Sequence, residues 1–385
     1  MQYEEILHRC FRCGYCKLPE NYVDFNCPPY LAFRFETYSP GGRMWLIRAM
    51  LDNKIDPTGR LQEILFSCVA CANCVEHCTF LKFKDQLLSA FTAAKEELVN
   101  AGKVPPAVRD CLTRIYQHGN PYGRARKKRD AWTHGLEIEE YSDQEYLFFV
   151  GDVGSYDTRG QELARSVAGL LQTLGVSFGI LGVEEMSDGN EARAMGEAEL
   201  FKYLAQENIK TFRARGVKKI ITLSPHGFNA LKNDYPQFGG QYPVFHYSQI
   251  LAPLVKKAAF APDLPPLRVT CHDSCYLGRH NMEYGAPRNV LAALPGVELV
   301  EMERCFQNSL CCGGGGGNVF TDIIGSGRQT SAGERVREAA ATGAAVLAVA
   351  CPQCAVMFAD AVKVQNLEGK LEVKEISEIV NERIA

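Results

Sequence analysis

The sequence predicts an α/β protein: a helical, cysteine-rich N-terminal region followed by two copies of a unit built on a parallel sheet. Three observations carry this. From about residue 145, apolar runs of strand length alternate with amphipathic runs of helix length, the pattern of a parallel sheet covered by helices. The alternation halts at Pro262, Pro265 and Pro266 and then starts afresh. Ahead of it, eight cysteines fall within the first 82 residues, in short segments that read as helix and loop.

The elements follow in order. In region 1–135, Leu87, Leu88, Phe91, Ala94 and Leu98 recur at helical spacing and predict a helix after the cysteines. Asn120-Pro121-Tyr122-Gly123 is a turn signal. The basic run from Arg124 to Arg129 reads as a solvated linker or docking face, in preference to a polyanion site. In region 145–262, strands are expected at 146–150, 176–181, 217–223 and 244–247, with helices at 161–174, 197–215 and 248–257. In region 266–385, strands at 267–271, 297–302, 344–350 and 371–375 alternate with helices at 287–294, 334–342, 352–364 and 377–384. Tyr141, Tyr146, Phe148 and Phe149 read as strand core.

These two regions repeat one pattern. Ser155-Tyr156 matches Cys275-Tyr276, and Ser187-Asp188-Gly189 matches Cys311-Cys312-Gly313. Ser224-Pro225-His226-Gly227 matches Cys351-Pro352-Gln353-Cys354, and the run from Val244 matches that from Val373. The offsets, 120, 124, 127 and 129 residues, drift slowly, as loop insertions would make them. The later copy holds five cysteines where the earlier has serine, aspartate and glycine, so the first copy has lost a metal site.

Bulk composition narrows the function. The chain has 385 residues, 46% hydrophobic content and a net charge of −3, with nothing that calls for nucleic acid. The start, Met-Gln-Tyr-Glu-Glu, lacks a secretory pattern. No run approaches the roughly 20 apolar residues of a membrane span; the richest, 344–358, is broken by Cys351-Pro352-Gln353-Cys354. A cytoplasmic location follows as the expectation, and there disulfides are disfavoured, which leaves the cysteines for metal.

Thirteen of the sixteen cysteines fall into three sets. The first is Cys10, Cys13 and Cys16, with Cys27-Pro28 following; the second is Cys68, Cys71, Cys74 and Cys78; the third is Cys275, Cys311, Cys312, Cys351 and Cys354. A Cys-x2-Cys-x2-Cys run curls around an iron–sulfur cube, whereas zinc, the alternative, favours two separated pairs. The third set lies just after predicted parallel strands, where ligands gather. Pro352 suits a first helical position, so Cys351 and Cys354 sit on a first helical turn, whose positive end favours an anion. Gly313, Gly314, Gly315, Gly316 and Gly317 allow a close backbone cradle. Vicinal Cys311 and Cys312 cannot both address corners of one ordinary cube, which argues for an unusual centre.

Other residues receive plainer readings. Cys111, Cys271 and Cys305 read as small buried hydrophobes. His272 and Asp273 adjoin a ligand and are candidates for hydrogen bonding to it or relaying protons, against a structural turn. His226 reads as a helix-capping remnant in preference to a contact with the neighbouring centre, and Asp188 as a turn residue. No Gly-x-Gly-x-x-Gly follows a strand with an acidic residue beyond, so no flavin or nicotinamide site of the chain's own is expected.

The N-terminal sets resemble the bacterial two-cluster ferredoxin. That resemblance implies one cubane [4Fe–4S] cluster on Cys10, Cys13, Cys16 and Cys78 and another on Cys68, Cys71, Cys74 and Cys27. The departures are a Cys27 that lies 11 residues after Cys16, Thr79 in place of proline after Cys78, and 52 residues between Cys16 and Cys68. The third set, Cys-x35-Cys-Cys-Gly-x37-Cys-x2-Cys, resembles the CCG domain of the heterodisulfide reductase family, in its B-type and D-type polypeptides. That family extends to iron–sulfur subunits of anaerobic glycerol-3-phosphate, glycolate and lactate oxidation, of the dissimilatory sulfite reductase membrane complex and of class II benzoyl-CoA reductase. A ferredoxin-like module followed by two CCG domains resembles the D-type polypeptide along nearly the whole chain. The resemblance implies a non-cubane [4Fe–4S] cluster on the five cysteines of the third set, with Gly313 to Gly316 and His272 around it. It also implies an electron-transfer subunit of an anaerobic complex, cytoplasmic or peripheral to a membrane. The expected partner is a flavoprotein or iron–sulfur subunit, heterodisulfide reductase A-like or electron-transfer-flavoprotein-like. The alternative is a thiol, disulfide or trisulfide reductase working at that cluster. Disulfide reduction in the family uses two facing non-cubane clusters, and this chain carries ligands for one.

Overall fold

The computed structural model of the protein describes residues 3–325 and 329–385. The N-terminal region is helical as expected, with no strand before residue 140 among the described residues. Helix Leu87–Asn100 buries Leu87, Phe91, Ala94 and Leu98 of the stripe its spacing predicts, with Ala90 buried beside them and Leu88 only half-buried. Helix Pro106–His118 opens on proline and closes on Gly119 in the left-handed region, φ +70°.

Two four-stranded parallel sheets follow. The first has β1 (Tyr146–Phe149), β2 (Phe178–Gly179), β3 (Ile220–Thr222) and β4 (Val244–His246) in the order β2-β1-β3-β4. The second has β5 (Leu267–Cys271), β6 (Val297–Leu299), β7 (Val346–Val349) and β8 (Glu372–Glu375) in the order β6-β5-β7-β8. Their central pairings correspond: Leu147 opposes Ile220 in one sheet, and Val269 opposes Val346 in the other. The edge strands are shorter than the sequence suggests. Strand β2 pairs only Phe178 and Gly179 with β1, because the chain then peels away to bridge Ile180 to Glu140.

The repeat reaches individual side chains. His246 and Glu375 each end the last strand of their sheet and each begin a helix through a capping box, with Gln249 and Glu378 as the returning partners. Helix Thr158–Thr173 of the first copy packs on helix Ile376–Asn381 of the second, and helix Gly285–Ala292 of the second packs on helix Tyr247–Val255 of the first. The contacts match as well. Arg159 forks onto Glu378 at 2.7 and 2.5 Å, and Gln249 donates to Glu283 at 2.6 Å. The two copies are thus related by an approximate two-fold axis.

The basic run differs from its expectation as a free linker. Arg126 donates to the carbonyls of Val183 and Glu184. Arg129 is buried, with Nη2 2.7 Å from Glu185 Oε1 and Nη1 2.8 Å from Asp152 Oδ1. Two carboxylates remote in sequence turn what reads as a solvated charge into an internal ion pair. A second cation, Lys95, also joins the regions: its buried ammonium donates to Cys68 O at 3.1 Å and Ala194 O at 2.9 Å.

Candidate iron–sulfur centres

The two N-terminal triplets fold alike. In each, the residues on either side of the middle cysteine take positive φ: Arg12 (+55°) and Gly14 (+84°) around Cys13, Ala70 (+52°) and Ala72 (+61°) around Cys71. Left-handed alanine is strained, and such backbone turns N–H groups inward toward an anion. The remaining cysteines sit at helix ends. Cys27 precedes helix Pro28–Phe33, and Cys78 follows helix Asn73–His77. Asn73 ties the triplets together, donating to Cys16 O at 3.2 Å while its Oδ1 accepts from Asn26 at 2.6 Å.

This brings the thiols together in crossed sets. Cys10, Cys13, Cys16 and Cys78 line one cavity; Cys27, Cys68, Cys71 and Cys74 line a second, and Cys16 also reaches the second wall. The thiols stand around these cavities, as a multi-iron cluster requires; among the described residues no three His, Cys, Asp or Glu side chains close on a single ion. Burial pushes the Cys27 thiol up to about 12 despite nearby Arg43. Such a thiol is a poor free nucleophile, and cations in the cavity would be what deprotonates it.

The third set gathers at the carboxyl ends of β5, β6 and β7, beside the point where the strand order reverses. All five cysteines are buried. Cys311 Sγ is 3.8 Å from Cys275 Sγ, and Cys354 Sγ is 3.4 Å from Cys312 Sγ. Cys351 precedes helix Pro352–Val364 and Cys354 lies on its first turn. The glycine ribbon divides its work. Gly313 N and Gly314 N point to Cys311 Sγ and Cys312 Sγ at 3.4 and 3.5 Å. Gly315 and Gly316 press instead on the Cys68–Val69 backbone, where an added Cβ would meet Val69 O at 2.5 Å and Cys68 O at 2.4 Å.

Electrostatics fit a metal cluster. Hydrogen bonds from Cys311 and Cys354 hold Cys312 well below the usual thiol range. Burial works to raise Cys351, but Cys354 and His226 outweigh it and hold it near 5. Their neighbours Cys311 and Cys354 are pushed up, because each adjoins another sulfur. Five buried thiols this close cannot all become thiolates without cations among them. Arg279 lies beside this set and the second one, donating to Cys71 O at 2.7 Å and Ser309 O at 2.6 Å. Burial opposes its charge, yet Cys71, Cys275 and Cys311 keep it protonated. Its Nη2 is buried without a protein partner, a donor suited to a sulfide or thiolate. Cys71 packs in one buried cluster with Cys275, Cys311 and Cys312, so the second and third sets adjoin.

The other candidates resolve individually. His272 is buried, its Nδ1 accepts from Arg335 Nε at 3.3 Å, and its Nε2 has no partner. Asp273 is held by Arg288 and accepts from Phe306 N. Asp188 accepts from Asn190 N, as a turn residue does. Cys111 and Cys271 are buried, whereas Cys305 is only half-buried. Tyr141 is buried beside the first sheet and outside its strands. His226 exceeds its capping role. Ser224 Oγ takes the cap, and the imidazole reaches out of the cysteine-free copy to pack on Tyr276, beside Cys275. Arg43, Lys95, Arg279 and Glu191 were not singled out by sequence; Arg43, after Pro40-Gly41-Gly42 and before Met44-Trp45, carried a signal as a charge in an apolar, glycine-rich stretch, whereas Lys95 and Glu191 stand among other charges.

Comparison with known proteins agrees with this geometry. The cysteine-rich (CCG) domain family matches residues 146–232 and 269–359, and the 4Fe-4S dicluster domain matches residues 6–80. The D-type polypeptide of the dihydromethanophenazine:CoB–CoM heterodisulfide reductase of Methanosarcina barkeri is 30% identical over 98% of this chain and 94% of its own length. The chain belongs to this family of CCG-domain iron–sulfur oxidoreductases. A probable iron–sulfur-binding oxidoreductase of Bacillus subtilis, FadF, is 37% identical over 84% of the chain and 47% of its own length. The EtfAB:quinone oxidoreductase of Syntrophomonas wolfei is 34% identical over 83% and 46%. The chain therefore spans about half the length of these two relatives. A crystal structure of a hypothetical protein from Helicobacter pylori shares the fold, with a TM-score of 0.53 and 11% identity over 99% of this chain and 72% of that one.

Proposed function

We propose that the chain is the electron-transfer subunit of a multi-subunit oxidoreductase complex, with two cubane [4Fe–4S] clusters and one non-cubane [4Fe–4S] cluster. Cys10, Cys13, Cys16 and Cys78 hold the first cubane, Cys27, Cys68, Cys71 and Cys74 the second, and Cys275, Cys311, Cys312, Cys351 and Cys354 the third cluster. Residues 1–135 form the two-cluster module, 145–262 the cysteine-free copy and 266–385 the complete one. One observation carries this reading: the thiol sets run in an unbroken series, through Cys16 at the walls of both cavities and Cys71 in one buried cluster with Cys275, Cys311 and Cys312. Clusters bound there supply one-electron carriage. The chain's part is to hold them in a row, exclude water and surround them with N–H groups and Arg279.

One end of the row is open. Cys13 is the exposed thiol of the thirteen, and Phe11, Tyr15 and Leu81 are exposed on the same cysteine-bearing segments. A flavoprotein or iron–sulfur partner docks there in this reading. Among the described residues no helix is long and apolar enough to cross a membrane, and one relative is named a probable membrane-anchored ferredoxin; a place peripheral to a membrane complex is consistent with both. A cleft of about 720 Å³ reaching Tyr276, Arg279 and His280, beside Cys275, favours a second reading, thiol or disulfide reduction at the third cluster.

Anaerobic purification with iron and acid-labile sulfide analysis tests the first reading. About twelve of each per chain is expected for three four-iron clusters; about eight, with both cubanes loaded, removes the third cluster. The second reading requires a new EPR signal when oxidised protein meets a thiol, and silence across a thiol panel eliminates it.

A further inference from the structure

The copy without cysteines still reaches every ligand-bearing segment of its twin. Glu191, buried at the start of helix Asn190–Ala194, accepts from Gly317 N at 2.6 Å, at the end of the glycine ribbon. Its other oxygen lies 2.7 Å from His226 Nδ1 and accepts from Gln353 at 3.3 Å, between Cys351 and Cys354. The His226 ring packs on Tyr276, next to Cys275, with centroids 4.1 Å apart. Three segments carry the five ligands, and two side chains of the first copy touch all three.

This arrangement explains why a copy stripped of ligands keeps buried charge at its inner face. A buried carboxylate and imidazole need partners; these two pair with each other, and their further partners Gly317, Gln353 and Tyr276 belong to the other copy. From this we infer that the cysteine-free copy is the remaining wall of the third centre. Glu191 and His226 are its positioning residues, fixing the three ligand segments through Gly317, Gln353 and Tyr276. The inference rests on the third cluster of the proposed function and goes beyond it, because it assigns work to the half without ligands. The placement of ligand segments and of the polar groups around them sets a cluster's potential, so disturbing this wall shifts the centre's midpoint.

The test is an EPR-monitored redox titration of the full-length, cluster-loaded protein, with iron analysis. His226→Ala is expected to shift the midpoint potential of the third centre and alter its signal, while both cubane signals keep their potentials. His226→Gln, which keeps an N–H donor, returns the potential toward the wild-type value. Glu191→Ala, which frees Gly317 and Gln353 together, is expected to reduce iron from about twelve toward about eight per chain, and Glu191→Gln retains more iron than Glu191→Ala. Asp157→Ala, which removes a helix cap on Gly160 N within the same copy, controls for general loosening and leaves the third signal unaltered. An unchanged third-centre potential and line shape in both His226→Ala and Glu191→Ala overturns the inference, as does an equal effect of Asp157→Ala. Where an alanine variant fails to fold, the glutamine variants decide by the same readouts. Absence of the third signal from the wild-type protein refutes the cluster assignment itself.

Discussion

Replacing Gly316 by alanine separates a packed glycine ribbon from a slack one. Gly316 has φ +63°, and a methyl group there meets Cys68 O at 2.4 Å and Val69 Cα at 3.0 Å. Unstrained contact needs about 3.5 Å, so ribbon and loop must part by about 1 Å. The left-handed backbone adds about 1–2 kcal/mol once a Cβ is present. Overpacking adds about 1–3 kcal/mol, for a total loss of about 2–5 kcal/mol. The assay is anaerobic thermal unfolding at a fixed scan rate, because iron–sulfur proteins unfold irreversibly and the midpoint depends on rate. Gly169→Ala is the control: it lies inside helix Thr158–Thr173, a new methyl there meets nothing within 4 Å, and it gains about 0.8–1 kcal/mol. A Gly316→Ala protein within about 0.5 kcal/mol of wild type, with unaltered EPR signals, would refute the claim that the ribbon sets the approach of the third site to the second.

Three further outcomes are expected. Arg129→Met leaves Glu185 and Asp152 buried without their cation and destabilises by about 3–5 kcal/mol in denaturant unfolding; adding Glu185→Gln recovers part of that loss. Arg279→Gln removes a buried cation beside the second and third sites, so both midpoint potentials fall in a redox titration while the first site keeps its own. Burial raises the Glu375 carboxyl to about 8 despite its hydrogen bonds from Ser377, so the folded state holds a proton that the unfolded chain releases near its usual 4.5. Rising pH therefore favours unfolding of the wild type across that window, and Glu375→Gln, which keeps the cap acceptor, gains relative stability from pH 6 to about 8 and then levels off.

Much of the architecture was legible because its signals are local. Strand–helix alternation marks parallel sheets, and the matched offsets exposed the repeat, since each ligand loop follows the carboxyl end of a strand. Cysteine spacing grouped the thiols for the same reason, and Cys27 and Cys78 lie at helix ends that thiol counting alone could locate. What stayed hidden depends on residues distant in sequence. Nothing near Arg129 announces Glu185 and Asp152 as its partners, nor does Cys71 announce Cys311. Ala70 and Ala72 carry no sign of positive φ, because that conformation is usually read from glycine. His226 looked like a remnant because its use lies in the other copy, and β2 shrank to two residues because a strand edge is set by the chain's exit path.

The paired contacts of helices Thr158–Thr173 and Gly285–Ala292 have an evolutionary consequence. A surface that meets its own duplicate across a two-fold is the kind that assembles identical subunits. A half-length forebear carrying one such unit would have formed a symmetrical dimer with two equal metal sites. Fusion into a single polypeptide lifts the demand that both sites be the same, so one can drift toward supporting the other without losing the shared seam. The asymmetry of this protein is thus a freedom that covalent joining grants and a homodimer lacks.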